Sequence, residues 1–327
     1  MRFLKFFKKK SLGYFLLSSL ILFVGFIMYQ CWMLASPSRR SIQDYHLSWL
    51  DTPQQHGMSI EKTSCLDGKV PTLVITPFTD LGKRGKTIRK QLTNRGVGIP
   101  LQNNLTEENT TQTIVLLHGR NGRKEDLLAV AERFCAVGYR CILIDLPAHG
   151  DSPVETVKFG TTEWEQDLPY NVLLECANRY NFSPAKASLW GISMGGCFCN
   201  RALADEEHGA HWEKAIIVCS FDKLNGIIQD KIGSKTVVNV MSALTHQMGG
   251  AVVNEVLPVE WVTKVSTPVM VVHGTADSLI ALERGKALYH AYNSSDKQWV
   301  VVEDGTHQNI LITPKPLYAD MLEWLLD

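Results

Sequence analysis

Ser193 sits in the pentapeptide Gly191-Ile192-Ser193-Met194-Gly195, where glycines two places before and after the hydroxyl remove the side chains that would collide in a sharp turn. Such a turn lifts a serine hydroxyl out of the fold as a nucleophile. Serine attacks a carbonyl efficiently only if a base takes its proton and a carboxylate holds that base in the right tautomer. Two later segments carry those groups: Val271-Val272-His273-Gly274-Thr275-Ala276-Asp277 ends on a carboxylate, and Glu303-Asp304-Gly305-Thr306-His307 ends on an imidazole. Ser193, His307 and Asp277 are therefore the candidate nucleophile, base and orienting acid for acyl transfer. Asp222 is an alternative third member. Asp145 and Asp304 read as structural or rim residues.

A tetrahedral intermediate also needs N–H donors for its oxyanion. Met194, at the start of a helix, offers one. The other comes from His118-Gly119-Arg120-Asn121-Gly122, from the Arg120 amide or alternatively that of Asn121. His118 then supports that loop by hydrogen bonds, although a histidine there is also a conceivable base. Gly119, Gly191 and Gly195 keep the pocket and its loops clear of side chains.

These motifs need strand ends to hold them. Apolar runs rich in β-branched residues, at Thr113–Leu117, Cys141–Ile144, Ala187–Trp190, Ala215–Cys219, Pro268–Val272 and Trp299–Val302, alternate with amphipathic stretches at Lys124–Val137, Thr162–Arg179, Met194–Ala204, Leu282–Tyr292 and Leu317–Leu326. Alternation of this kind predicts an α/β protein with a mainly parallel, doubly wound sheet, whose reactive groups gather at the carboxyl ends of the strands. Ser59–Leu66 and Thr72–Ile75, flanking Asp67-Gly68, read as a preceding hairpin. Phe221–Trp261 interrupts the rhythm with many apolar residues and reads as a short helical cap, with Gly249-Gly250 as a hinge.

The 33 basic and 33 acidic side chains cancel over the chain's 327 residues but are not evenly placed. Residues 1–40 hold seven basic and no acidic groups, leaving 26 basic and 33 acidic in 41–327. No domain-wide basic surface remains for a phosphate backbone, so nucleic acid is not an expected partner. Ser11–Leu34 has 24 residues without a charge, against the ~20 that cross a bilayer core. With a basic leader at 1–10, this segment reads as a transmembrane signal anchor that leaves the leader in the cytoplasm and the catalytic domain on the other side. A cleaved signal peptide and a secreted protein are the rival reading. Residues 35–58 read as a stalk, 59–327 as the catalytic domain, and 78–111 as a polar, basic, solvated insertion. On this reading the domain stays soluble when cut at residue 40.

The eight cysteines are too few for a disulfide scaffold and lack zinc-site spacing; Cys197-Phe198-Cys199 has no second pair. Buried thiols are expected, with one disulfide using Cys65 as an option outside the cytoplasm, and neither metal nor cofactor is called for. Asn104, Asn109, Asn181 and Asn293 begin glycan-acceptor triplets.

Residues 113–327 resemble an α/β-hydrolase of the serine-aminopeptidase-like and monoacylglycerol-lipase-like branch. The resemblance is carried by IVLLHGRNG, ILIDLPAHGDS, GISMGG, HGTADSLI and GTHQN in the family's order. It implies the chain order Ser193, Asp277, His307 for the triad, and a membrane-anchored serine hydrolase acting on carboxylic esters or thioesters of acyl or lipid-like substrates. A serine aminopeptidase-type peptidase is the alternative, since the same triad cleaves amides. From another class comes a catalytically inactive hydrolase-fold binding protein.

Overall fold

The computed structural model describes residues 2–99, 112–312 and 316–327, with side chains from residue 14 onward. Eight strands, β1 (Met58–Cys65), β2 (Val70–Pro77), β3 (Gln112–Leu117), β4 (Tyr139–Ile144), β5 (Ala187–Ile192), β6 (Trp212–Val218), β7 (Val269–Gly274) and β8 (Lys297–Val302), form one sheet in the order β1-β2-β4-β3-β5-β6-β7-β8. β1 and β2 are an antiparallel hairpin, β2 runs antiparallel to β4, and every other pairing is parallel. The switch of order at β3 is where a crevice opens at the carboxyl ends of an α/β sheet.

Alternate strand residues feed two cores, because successive side chains point to opposite faces. Val115, Leu117, Leu189, Ile217 and Val271 face α6 (Leu168–Arg179) and α7 (Met194–Leu203). Ile114, Leu116, Trp190, Ile216 and Val272 face α4 (Leu128–Cys135) and α12 (Leu317–Leu326). The central strands are buried on both sides, so their sequences read as continuous apolar runs. The cap region folds as α8 (Leu224–Ile232), α9 (Lys235–Gln247) and the short α10 (Pro258–Trp261), and α11 (Leu282–Ala291) follows β7.

At the amino end, α1 runs from Arg2 to Ala35, and its segment Tyr14–Ala35, with a mean hydropathy of 1.9, is long and apolar enough to cross a membrane. Its large side chains from Tyr14 to Phe26 are exposed. From Ile27 onward the helix changes character and packs on the cap: Ile27 and Cys31 meet Met241 of α9, and the Val157 N–H donates to the Ala35 carbonyl at 2.9 Å.

Three expectations need correction. Residues 35–58 are not a free stalk but lie along the domain, with α2 (Asp44–Asp51) and a short helical turn at Pro53–His56. Their charges read as solvated because their partners are remote in sequence: buried His46 bonds Asp126 at 2.9 Å, and the Arg39 guanidinium bonds the Ser152 and Val154 carbonyls. Within 78–111, Lys83–Asn94 forms α3, an ordered helix and not a solvated loop. Its Ile88 and Leu92 are buried and Arg95 pairs with Asp320 and Glu323 of α12. That apolar stripe is too thin to stand out among so many basic residues. Gly250 is a packing site and not a hinge, since a Cβ there would come within 2.6 Å of the Ala35 Cβ. The end of the basic insertion, residues 100–111, and the triplets at Asn104 and Asn109 lie outside the described residues.

All eight cysteines are buried free thiols; Cys65 and Cys176 have their sulfurs 3.6 Å apart, in a thiol–thiol hydrogen bond and not a disulfide.

Candidate active site

Ser193 stands between β5 and α7 with φ 56° and ψ −118°, a left-handed conformation that costs a non-glycine residue of order 1–3 kcal/mol. Its surroundings hold it there. The Ser193 N–H donates to the Val218 carbonyl at 2.8 Å, and the Ser220 hydroxyl donates to the Ser193 carbonyl at 3.0 Å. Close approach of the turn to β3 explains the following glycine: a Cβ on Gly195 would overlap the Leu117 carbonyl oxygen. Gly191 is similarly confined, 2.5 Å from the Gly195 backbone at the position a Cβ would take.

Loops after β7 and β8 bring the other two groups to this hydroxyl. His307 Nε2 lies 3.0 Å from Ser193 Oγ, and His307 Nδ1 lies 2.7 Å from Asp277 Oδ2. The second Asp277 oxygen accepts the Leu279 and Ile280 amides, each at 2.9 Å, so the carboxylate is locked in place. Burial pushes the Asp277 pKa up, but hydrogen bonds from His307 and the Ile280 amide outweigh that, and the group ends below its ordinary value. It is an anion facing an imidazole N–H.

Asp222, the alternative acid, is engaged elsewhere: it accepts from Arg284 at 2.8 Å and from the Lys223 amide. Asp145 is buried under Lys124, accepting both its amide and its ammonium at 2.8 Å, and Asp304 is bonded through its amide to Thr275.

His118 has neither nitrogen free for Ser193. Its Nε2 accepts the Leu146 amide at 3.1 Å and its Nδ1 meets the Gly119 carbonyl at 2.8 Å, which ties the loop after β3 to the loop after β4. Burial pushes the pKa of this imidazole down, consistent with a neutral ring. Gly119 lies against Ser193, and a Gly122 N–H to Gly119 carbonyl bond of 3.0 Å closes a turn over Arg120 and Asn121, with Asn121 at φ 61°. Met194 opens α7, where its N–H has no acceptor within the helix.

The family model for the alpha/beta hydrolase fold matches residues 112–228. The structure resembles an esterase of Pyrococcus furiosus at a TM-score of 0.61 and 14% identity, over 89% of this chain and 98% of that one. The chain has the α/β-hydrolase fold. Another solved relative of the fold is a membrane phospholipase A described as a bacterial virulence factor, with a TM-score of 0.55, 15% identity and 98% of both chains covered. Among curated proteins, the quorum-quenching protein AidA of Acinetobacter baumannii is 30% identical over 151 residues, 39% of this chain; the match spans about half the length of that relative.

In this hydrolase fold Ser193 opens into a cavity of about 370 Å³ walled by Phe159, Met194, Phe221, Leu224, Ile228 and Met241. Phe26, Gln30 and Leu34 of α1 line it too, as do the cations Arg120 and Lys231. Sequence reasoning missed the α1 residues, since apolar side chains on an uncharged helix look alike whether they face lipid or a cavity. Their spacing of four is the one signal available, because it places them on a single helix stripe. The Arg120 side chain was also missed: it donates to the Met33 carbonyl at the end of α1 at 2.8 Å.

Cys219, His273 and Asp277 have potential ligand atoms within 4.8 Å of one another, but His273 Nε2 already donates to the Ile280 carbonyl at 2.9 Å and Asp277 holds His307. Asp167, Asp205 and His208 form another grouping, away from Ser193, in which His208 pairs with Asp205 at 3.2 Å.

Proposed function

We propose that the chain is a membrane-anchored serine hydrolase that cleaves carboxylic esters or thioesters of acyl substrates. The observation that carries this reading is the continuous hydrogen-bond path from Ser193 Oγ through His307 to Asp277, opening into an apolar cavity. His307 takes the Ser193 proton as the oxygen attacks the carbonyl. The amides of Met194 and Arg120 receive the oxyanion charge, and His307, now protonated, gives its proton to the leaving alcohol or thiol. Water, deprotonated by the same imidazole, then releases the acid and restores the serine. Asp277 stabilises the imidazolium without taking its proton.

An ester or thioester is favoured over a peptide amino terminus by the charge of the site. Among the described residues lining the cavity there is no carboxylate to hold an ammonium group, whereas Arg120 and Lys231 are cationic. Anchoring rests on α1, whose large apolar side chains from Tyr14 to Phe26 stand exposed on a helix long and apolar enough to cross a bilayer. The basic leader orients it with residues 1–10 in the cytoplasm.

Ser193→Ala in the full chain tests the reading. Hydrolysis of a p-nitrophenyl ester panel and labelling by a fluorophosphonate probe should both vanish while the far-UV circular dichroism is kept. Undiminished turnover would refute Ser193 as the nucleophile, and absence of labelling in the unaltered chain would favour a binding protein.

A further inference from the structure

α1 has two neighbouring stripes with different partners. Ile27, Cys31 and Ala35 pack on the cap, where the Cys31 thiol donates to the Met241 carbonyl at 3.7 Å and Ala35 abuts Gly250. Phe26, Gln30 and Leu34, one helical turn apart from each other, face the cavity that holds Ser193. Along this second stripe exposure falls from 57% at Phe26 to 8% at Leu34, so it leads from the open flank of the helix into the protein core. Phe26 to Leu34 spans about 12 Å at ~1.5 Å per residue.

The position of the membrane follows from the same helix. The uncharged run begins at Ser11 and the helix first packs on the cap at Ile27, so the part clear of the domain is about 24 Å long. A hydrocarbon core is ~30 Å thick. Taken from the turns that line the cavity, the missing length draws the Phe26 end of the cavity into the apolar boundary of the bilayer; tilt of the helix draws it deeper. Apolar side chains left exposed nearby, Val240 on α9 and Leu279 at the cavity, are compatible with such a boundary.

Resting on the hydrolase reading above, we infer that the last turns of α1 are a wall of the acyl site and that the substrate is a bilayer-resident lipid ester. Its acyl chain enters from the membrane along Phe26 and Gln30, and its carbonyl reaches Ser193 without passing through water. The anchor is thus a specificity element as well as a tether. Cutting the chain at residue 40 removes Leu34 from the main core and opens the cavity along one side, contrary to the separable domain expected from charge alone.

Gln30→Trp, in the full chain reconstituted in phosphatidylcholine vesicles, fills the cavity beside the helix. Met28→Trp, on the opposite, 46% exposed side, is the control. The readout is the ratio of hexadecanoyl to butanoyl ester turnover. It should fall about tenfold or more in Gln30→Trp and stay within twofold in Met28→Trp; a ratio unchanged in Gln30→Trp overturns the inference. A second measurement does not depend on turnover. Ser193→Ala in vesicles containing a phospholipid with a diazirine at its acyl terminus should cross-link to residues 26–34 or 224–232, and cross-links confined to 11–25 would overturn the wall. Fluorophosphonate labelling of the unaltered chain separates the two claims: its absence strikes the hydrolase reading, whereas normal labelling with an unmoved chain-length ratio strikes only the role of α1.

Discussion

Replacing Asp277 by Asn probes the proposed mechanism with almost no change of shape. The Asp277 oxygen that accepts the Leu279 and Ile280 amides must remain an oxygen, since an NH₂ group there would face two N–H donors at 2.9 Å. Those two amides therefore force the new NH₂ to the other side, 2.7 Å from His307 Nδ1. Nδ1 must then accept a hydrogen bond, which moves the imidazole proton to Nε2. That nitrogen, 3.0 Å from Ser193 Oγ, becomes a donor to the hydroxyl it should deprotonate. Loss of the correct tautomer in such a triad costs about 10⁴ in kcat, or about 5.4 kcal/mol of transition-state stabilisation at ~1.36 kcal/mol per decade. The assay is steady-state hydrolysis of p-nitrophenyl butyrate by wild type and Asp277→Asn in the same detergent, with thermal unfolding as the check on folding. A variant that folds normally and loses less than tenfold in kcat would refute the tautomer argument and, with it, the assignment of Asp277.

Two further predictions concern the scaffold that positions these groups. Gly195→Ala places a methyl group against the Leu117 carbonyl, and overpacking on backbone should cost about 3 kcal/mol or more, read as a lower denaturation midpoint; a midpoint equal to wild type would show that the turn can relax. His149 is buried with Nδ1 2.8 Å from the Pro147 carbonyl, and burial, then His118 and nearby arginines, lower its pKa to about 3. Because the folded value lies below the unfolded value of ~6.5, the stability this histidine contributes is fully present above pH 6.5 and lost as pH falls toward 3. Between pH 7 and pH 5 the loss is about 2 kcal/mol. Urea unfolding at the two pH values should show a smaller difference in His149→Phe than in wild type, and an equal difference would exclude His149 as its source.

The hydrolase scaffold was legible because its strands are buried on both faces and its helices on one, so burial writes itself into composition and periodicity over short windows. Strands β3 to β8 and helices α7 and α12 fall within a few residues of where those patterns put them. That Ser193, Asp277 and His307 lie side by side was legible for a related reason: each sits at the end of a strand in a short segment whose glycines mark a turn, and the order of the segments carries the topology. The helix α3 and the docked segment 35–58 were not legible. Their partners, Asp126, Asp320 and Glu323, are remote in sequence, so a charge that pairs looks the same in sequence as one that is solvated.

The α1 helix marks the boundary between the two kinds of knowledge. By itself the sequence determined that residues 11–34 are uncharged, apolar and long enough to span a bilayer, because hydropathy is a sum over side chains and needs no partner. Only the tertiary structure decided that Phe26, Gln30 and Leu34 face the cavity beside Ser193 while Ile27, Cys31 and Ala35 face the cap. Which side of a uniformly apolar helix meets protein is set by the shape of a surface assembled from α8, α9 and the loop at Arg120, elements lying 85 or more residues further along the chain.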